Sequence, residues 1–439
     1  MQKTKNVSAG KWVALVIALL FMFATKYIPA PADLSQAGFQ VLGILIGAII
    51  LCLTKSGAAR RIAIWFLTNK LARKSPWWTV IMFFAANYVL NFVLSTAATI
   101  FVMLPIAAEI LESVGIQKED KAPIAVALML GTLVTGLISN SANPISHATT
   151  LQGFSFYESF TGEAMDFFTY CAIAFPVSIV CVVLFVLMVK FVWHPEVSAL
   201  KNVNYDAMTS SLGPMTKKEK WSVFFYIVCV LLWMMPGLSK YIWPGAAAFF
   251  GKINNCLPPL AALFLMNFIK VDGEKILDWG EAVKSVNWPS FMFIASIMGL
   301  GSFMGNADIG IPAWMSSVLS PVFSNVSPFV FLAVMVLLAD LMTNFTSNTV
   351  TASVMLAVAL PLAMGIYGGR ISVFVVATLV TSAANNGWTA PPASPTAAVV
   401  YGSEWVDTKS MMKWGLLTAL IHVIVTMSFG YLLGTAICG

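Results

Sequence analysis

The chain has 439 residues, of which 59% are hydrophobic and only 10% charged, with a formal net charge of +6. A soluble domain carries roughly 25% charged residues, so this composition excludes a soluble enzyme or binding module and marks a polytopic membrane protein. The surplus Lys and Arg fall in loops, where they report orientation in a lipid bilayer and imply no nucleic-acid partner.

Long apolar blocks, in place of short alternating segments, predict helices and not a membrane barrel. The first residues, MQKTKNVSAGKWVALVIALLFMF, look at first like a signal peptide. The apolar run is long enough to span, and no small-residue cleavage site precedes Lys26, so a retained helix is expected within 1–35. Spans are expected at 12–29, 36–53, 122–152, 166–193, 220–236, 256–270, 289–305, 372–403 and 411–436. Two further stretches, 78–113 and 327–365, are about twice the length of one span and are interrupted midway by small polar residues. Residues 56–74 place apolar positions at helical spacing with basic residues between them, the pattern of a helix lying in the interface.

The basic loop from Lys55 to Lys74 marks the cytoplasmic side, which puts the N-terminus in the cytoplasm. The polar stretch 195–218 divides the chain into halves that share an order of elements. The expected organisation is an N-terminal helix (1–35), a first repeat (36–193, with hairpin 78–113 and broken helix 122–152), a cytoplasmic linker (194–219) and a second repeat (220–439, with hairpin 327–365 and broken helix 372–403). Interruptions at matching positions of two halves are the sequence pointer to a transporter site.

Backbone at membrane depth must be hydrogen-bonded, so a broken helix is tolerated only where protein buries it or it lines a cavity. Each break frees N–H groups at a positive dipole end, which attract carboxylate, sulfate or phosphate oxygens. Carbonyls and the oxygens of Ser, Thr and Asn can instead hold a small cation. Four such breaks are legible: Ser95-Thr96-Ala97, with Asn87 and Asn91 on the approach; ISNSANPISHATT (138–150); Thr346-Ser347-Asn348-Thr349; and TSAANNGWTAPPASPTAA (381–398), where Asn385, Asn386 and Gly387 suggest a lined cavity. The same hydroxyls could serve only as helix glue. Asp340, the lone acid of its apolar stretch, is either functional or held by a neighbouring amide. His147 reads best as a satisfied interior histidine.

The six cysteines are scattered through apolar runs and read as small buried hydrophobes. Nucleotide-binding, zinc-protease and nucleophile-elbow motifs are absent, so no catalytic residues are expected and the chain is not read as an enzyme. A passive anion channel is the weaker rival to a carrier.

The run LTKSGAARRIAIWFLTNKLARKSP leading into FVLSTAATIFVMLPIA resembles the first hairpin region of the divalent anion/sodium symporters, a family of dicarboxylate, citrate and sulfate transporters. FTSNTVTASVML is similar to the family's second signature, and ASPTAAVVYGSEWV to its later broken-helix loop. SLGPMTKKEKW resembles the linker of the bacterial citrate and tartrate:succinate exchangers. The resemblance implies an all-α fold of two inverted repeats, each with a re-entrant helical hairpin and a broken transmembrane helix. It also implies a homodimer in the bacterial inner membrane that works as an elevator. The implied cargo is a small dianion, most simply a C4-dicarboxylate, with sodium as coupling ion. Sodium-independent antiport, or transport of sulfate or another small anion, remains open.

Carried over residue by residue, the resemblance implies that Ser95, Thr96, Asn140, Ser141, Asn143, Ser347, Asn348, Thr349, Ser394, Pro395 and Thr396 hold the substrate. Asn91, Ser95, Thr343, Thr346, Asn348 and Ser394 would hold sodium. The first tip departs from the family, reading Ser-Thr-Ala where many members have Ser-Asn-Thr, which removes an amide ligand from the first sodium site.

Overall fold

The computed structural model describes residues 58–94, 96–142, 144, 147–205, 214–250, 257–278, 280 and 307–439. The expected N-terminal helix and the spans 12–29, 36–53 and 289–305 lie outside the described residues, as do Ser95 and Asn143.

Several helices begin on one local signature, a serine followed by proline. The hydroxyl of Ser75 accepts from the N–H of Trp78 at 3.4 Å, that of Ser327 from Val330 at 3.3 Å, and that of Ser394 from Ala397 at 3.1 Å. Each satisfies one orphan donor of the first turn, and proline at that position forfeits no intrahelical bond.

The described helices are α1 (Ala58–Thr68), α2 (Pro76–Val93), α3 (Thr96–Ser113), α4 (Pro123–Ser141), α5 (Ala148–Thr161), α6 (Phe167–Met188), α7 (Lys217–Ile242), α8 (Pro244–Phe250), α9 (Leu257–Phe268), α10 (Ile311–Phe323), α11 (Pro328–Thr343), α12 (Asn348–Gly365), α13 (Val373–Ala384), α14 (Pro395–Gly402), α15 (Thr408–Val425) and α16 (Tyr431–Cys438). The interruptions read from the sequence are present: α2 and α3 part at Leu94, α4 and α5 at 142–147, α11 and α12 at 344–347, and α13 and α14 at 385–394. Single wider turns continue α6 to Trp193 and join α15 to α16 through Thr426–Gly430. Among the described residues five helices are long and apolar enough to cross a bilayer, and α10 with α11 forms a sixth candidate bent by 109°. The protein is a multi-pass integral membrane protein.

One element departs from the all-helical expectation. Lys270–Val271 (β1) pairs antiparallel with Glu274–Lys275 (β2). The turn residues Asp272 and Gly273 have φ of 53° and 86°, the left-handed pair that favours Asp-Gly in tight hairpins. Lys217 and Lys218 at the start of α7 reach Asp272 (2.8 Å) and Glu274 (2.5 Å) across this turn.

Helix α4 is buried from Ile124 to Ser141, so its apolar run is core and does not face lipid. It lies close against α2: a Cβ added at Gly131 would run into the Phe84 ring, a contact only glycine permits. On α1, Ala59, Ala63, Ile64 and Leu67 turn into the same core while Trp65 is 64% exposed. This is the one-sided burial expected of 56–74.

Two apolar cores result, and their membership is informative. The first gathers α1 to α4 but also Trp388, Ala397 and Val400 from the second half. The second gathers α11, α12 and α13 but also Phe154, Phe156 and Phe160 of α5 from the first half. Thus the segment after each break packs into the other half's core: α5 lies on α12 and α13, and α14 on α3 and α4. At the surface, Lys118 meets Glu404 at 2.5 Å and Lys121 donates to the Glu404 carbonyl. The Lys118 ammonium holds the Glu404 carboxyl below the usual carboxylate range.

The second core depends on Phe331, which is fully buried against Phe323 and Tyr367 with ring centroids 5.5 and 4.8 Å away. Phe331→Ala is expected to destabilise the fold by about 3–5 kcal/mol. Thermal unfolding in detergent checks this, and an unchanged midpoint would contradict the packing.

Candidate functional site

The first half contributes α2, the start of α3 and the end of α4. Asn87 donates to the Thr132 carbonyl (2.8 Å) and the Thr135 hydroxyl (2.7 Å), so it binds α2 to α4 as helix glue. Asn91 sits one turn nearer the break and donates to the Asn87 carbonyl at 2.9 Å. Its buried Oδ1 accepts nothing among the described residues. At the break itself, the amide of Asn140 donates to the Thr96 hydroxyl, which joins the first tip to the first broken helix. The carbonyl of Ser141 accepts from the Tyr170 hydroxyl at 3.0 Å, and the Ser141 hydroxyl reaches the Ser382 carbonyl of the other half at 3.4 Å.

The second half contributes a tighter arrangement. Ser347 caps α12 by accepting from the Val350 N–H at 3.2 Å, which leaves Asn348 as the first helical residue and nearly buried. Asn348 Nδ2 donates to the Asn385 carbonyl at 3.1 Å, and its Oδ1 accepts from the Thr343 hydroxyl at 2.8 Å. The same hydroxyl also lies 2.7 Å from the Ala384 carbonyl. Ser394 donates to the Gly387 carbonyl at 2.9 Å and lies 3.0 Å from the Thr396 hydroxyl. Asn344 spans the gap from the other side, donating to the Asp340 carbonyl (2.6 Å) while accepting from the N–H groups of Trp388 and Thr389 at 3.2 and 3.0 Å.

The two halves meet through Thr150, on the first turn of α5. Its hydroxyl faces the Asn140 carbonyl at 3.4 Å and accepts from Asn385 Nδ2 at 3.3 Å. One run of polar contacts therefore passes from Thr96 through Asn140, Thr150, Asn385 and Asn348 to Thr343, crossing all four breaks. The starts of α3, α5, α12 and α14 lie along it. Four helix N-termini therefore border this run, each presenting the positive end of a helix dipole. Beside this run Asn91 and Asn140 each keep a buried side-chain amide oxygen without a hydrogen-bond donor among the described residues. Oxygens of that kind suit a small hard cation, and N-termini suit an anion.

Not every sequence-nominated residue faces this region. Thr346 pairs with the Thr351 hydroxyl at 2.8 Å and its own helix at Met342. Ser347 and Ser394 are engaged as caps, Pro395 opens α14, and the Thr349 carbonyl accepts from Ser353. His147 also caps a helix, its Nδ1 accepting from the Thr149 N–H at 3.3 Å. Thr150 belonged to a recognised polar break but carried no distinguishing signal. His422 had none at all, since it sits singly in the apolar run of α15.

The sodium:sulfate symporter transmembrane region, a family defined by its sequence model, matches residues 51–438. The chain belongs to this family. The sodium-dependent dicarboxylate transporter SdcS of Staphylococcus saprophyticus is 23% identical over 96% of this chain and 82% of its own length. Solute carrier family 13 member 1 of Rattus norvegicus is 25% identical over 49% of this chain and 38% of its own length. In fold, the chain resembles two solved transporters. YdaH of Alcanivorax borkumensis has a TM-score of 0.60 at 14% identity over 94% of this chain and 88% of that one. MtrF of Neisseria gonorrhoeae has a TM-score of 0.61 at 13% identity over 91% and 82%. Members of this family are transporters and not enzymes, in line with a site made of amides, hydroxyls and helix ends.

Proposed function

We propose that the chain is a secondary active carrier of a small dianion, most simply a C4-dicarboxylate, coupled to sodium. The observation that carries this reading is the convergence of four helix breaks from both halves on one run of amides and hydroxyls. The anion would lie against the starts of α3 and α12, held by Thr96, Asn140, Ser141, Asn348 and backbone N–H groups. Sodium would take Asn91 on one side, and Thr343 and Asn348 on the other. Burying two negative charges without an Arg clamp requires cations beside them, which is the physical reason for coupling.

The exchange of α5 and α14 between the two cores supports a reading of residues 36–193 and 220–439 as inverted repeats around that site. Alternating access would then move the site as one body, an elevator, against a scaffold shared in a homodimer. The N-terminus would lie in the cytoplasm of a bacterial cell and the chain in its inner membrane. A sodium-independent antiporter is the second reading, favoured by the missing amide at Thr96-Ala97.

Purified protein in liposomes decides between them. A sodium gradient alone is expected to accumulate succinate above the outside concentration, with sulfate as competitor. Accumulation that needs internal succinate and ignores sodium would establish the antiporter. Asn140→Ala is expected to lower this uptake by about 10- to 100-fold, because losing the bond to Thr96 leaves a buried polar group unsatisfied at about 1–3 kcal/mol.

A further inference from the structure

Behind the second tip lies a group of ionisable side chains that the sodium and anion sites do not use. Asp340, in the last turn but one of α11, and His422 of α15 are each 2% exposed, with Oδ1 and Nδ1 3.7 Å apart. The amide of Asn386 stands between them: its Nδ2 lies 2.6 Å from Asp340 Oδ1 and 2.7 Å from His422 Nδ1. Nε2 of the same ring lies 3.4 Å from the Ser382 hydroxyl. With both amide hydrogens spent on Oδ1 and Nδ1, the ring accepts at Nδ1 and carries its proton at Nε2. His422 is then neutral, and Asp340 faces no positive charge.

The surrounding elements supply none. α12, α13 and Thr426–Gly430 contain no ionisable side chain. α6 offers Cys181. On α15, Lys409 and Lys413 lie more than two turns before His422. A carboxylate so placed is costly unless neutralised. A metal ion fits badly, because the amide hydrogens of Asn386 point into the gap it would occupy. A proton fits well: it can form an O–H on Asp340 or an N–H at His422 Nδ1, and either removes the uncompensated charge.

We propose that Asp340, Asn386 and His422 form a proton-binding site, and that one proton taken from water on one side is released to water on the other with each transported dianion. This rests on the carrier reading above. The site is wired to the second tip. Asn386 stands between Asn385, whose carbonyl receives Asn348, and Gly387, whose carbonyl receives Ser394. Asn344 ties the Asp340 carbonyl to the N–H groups of Trp388 and Thr389. The free Oδ1 of Asn386 can turn toward a protonated partner, so proton uptake shifts the loop against which Asn348 is held.

The test uses liposomes containing a pH-sensitive dye, with sodium equal on both sides and external succinate at pH 7.5, where it is a dianion. Wild-type influx is expected to acidify the lumen. Asp340→Asn and His422→Gln are expected to keep succinate counterflow while losing the acidification. Wild-type influx with no change of internal pH overturns the proposal and leaves the carrier reading standing. Acidification per succinate in both variants equal to wild type also overturns it. Failure of any anion to enter would remove the carrier reading and this site together. If neither variant folds, the wild-type measurement alone decides.

Discussion

Asn348→Ala is expected to abolish sodium-driven succinate uptake while the protein still inserts and remains folded. Asn348 joins the start of α12 to the end of α13 by donating to the Asn385 carbonyl, and its Oδ1 accepts from Thr343 on α11. Truncation orphans the buried Asn385 carbonyl at about 1–3 kcal/mol, leaves the Thr343 hydroxyl only the Ala384 carbonyl, and removes a group proposed to touch both anion and cation. The orphaned carbonyl alone corresponds to an affinity loss of about 5- to 150-fold, and the lost ligand group adds to it. Uptake by reconstituted protein measures it, with thermal unfolding as the control for folding. Wild-type uptake in this variant would remove Asn348 from the site.

Gly387→Ala is expected to be almost as damaging, for a steric reason. A Cβ at Gly387 would come 2.5 Å from Asn348 Oδ1 and 2.8 Å from the Ala393 carbonyl oxygen. Neither neighbour is the free end of a flexible chain, so either the tip or the 385–394 loop must move. The displacement separates the two breaks while leaving the apolar cores intact. Succinate binding should fall by at least about 10-fold, since overpacking of a tight site costs about 1–3 kcal/mol. Gly402→Ala, where an added Cβ meets nothing within 4 Å, is the matched control and should bind as wild type. Equal binding by both variants would show that Gly387 does not hold the tip in place.

The breaks were legible in the sequence because lipid permits so few of them. A cluster such as Thr346-Ser347-Asn348-Thr349 within an apolar run has few readings besides a protein-lined gap. Which hydroxyl faces the gap was not legible. Serine serves equally as a cap or as a ligand, so Ser347 and Ser394 could not be told apart from Thr343 before their partners were known. The exchange of α5 and α14 between cores leaves no local signature either, since Phe154 and Ala397 look like any other apolar helix residues. Asp340 was conspicuous as a lone acid, and the alternative of a neighbouring amide proved concrete in Asn386. Its second partner, His422, was hidden by distance along the chain. The Asp272-Gly273 turn carried a readable hairpin signal that the apolar periodicity around it obscured.

The most direct measurement of the central claim, that both halves grip one anion, is succinate binding in the presence of sodium to wild type, Asn140→Ala and Asn348→Ala separately. The account predicts that each variant alone loses binding by at least about 10-fold, since each leaves a buried partner unsatisfied. Asn140→Ala binding succinate as tightly as wild type, with Asn348→Ala losing it, would contradict a site shared between the halves.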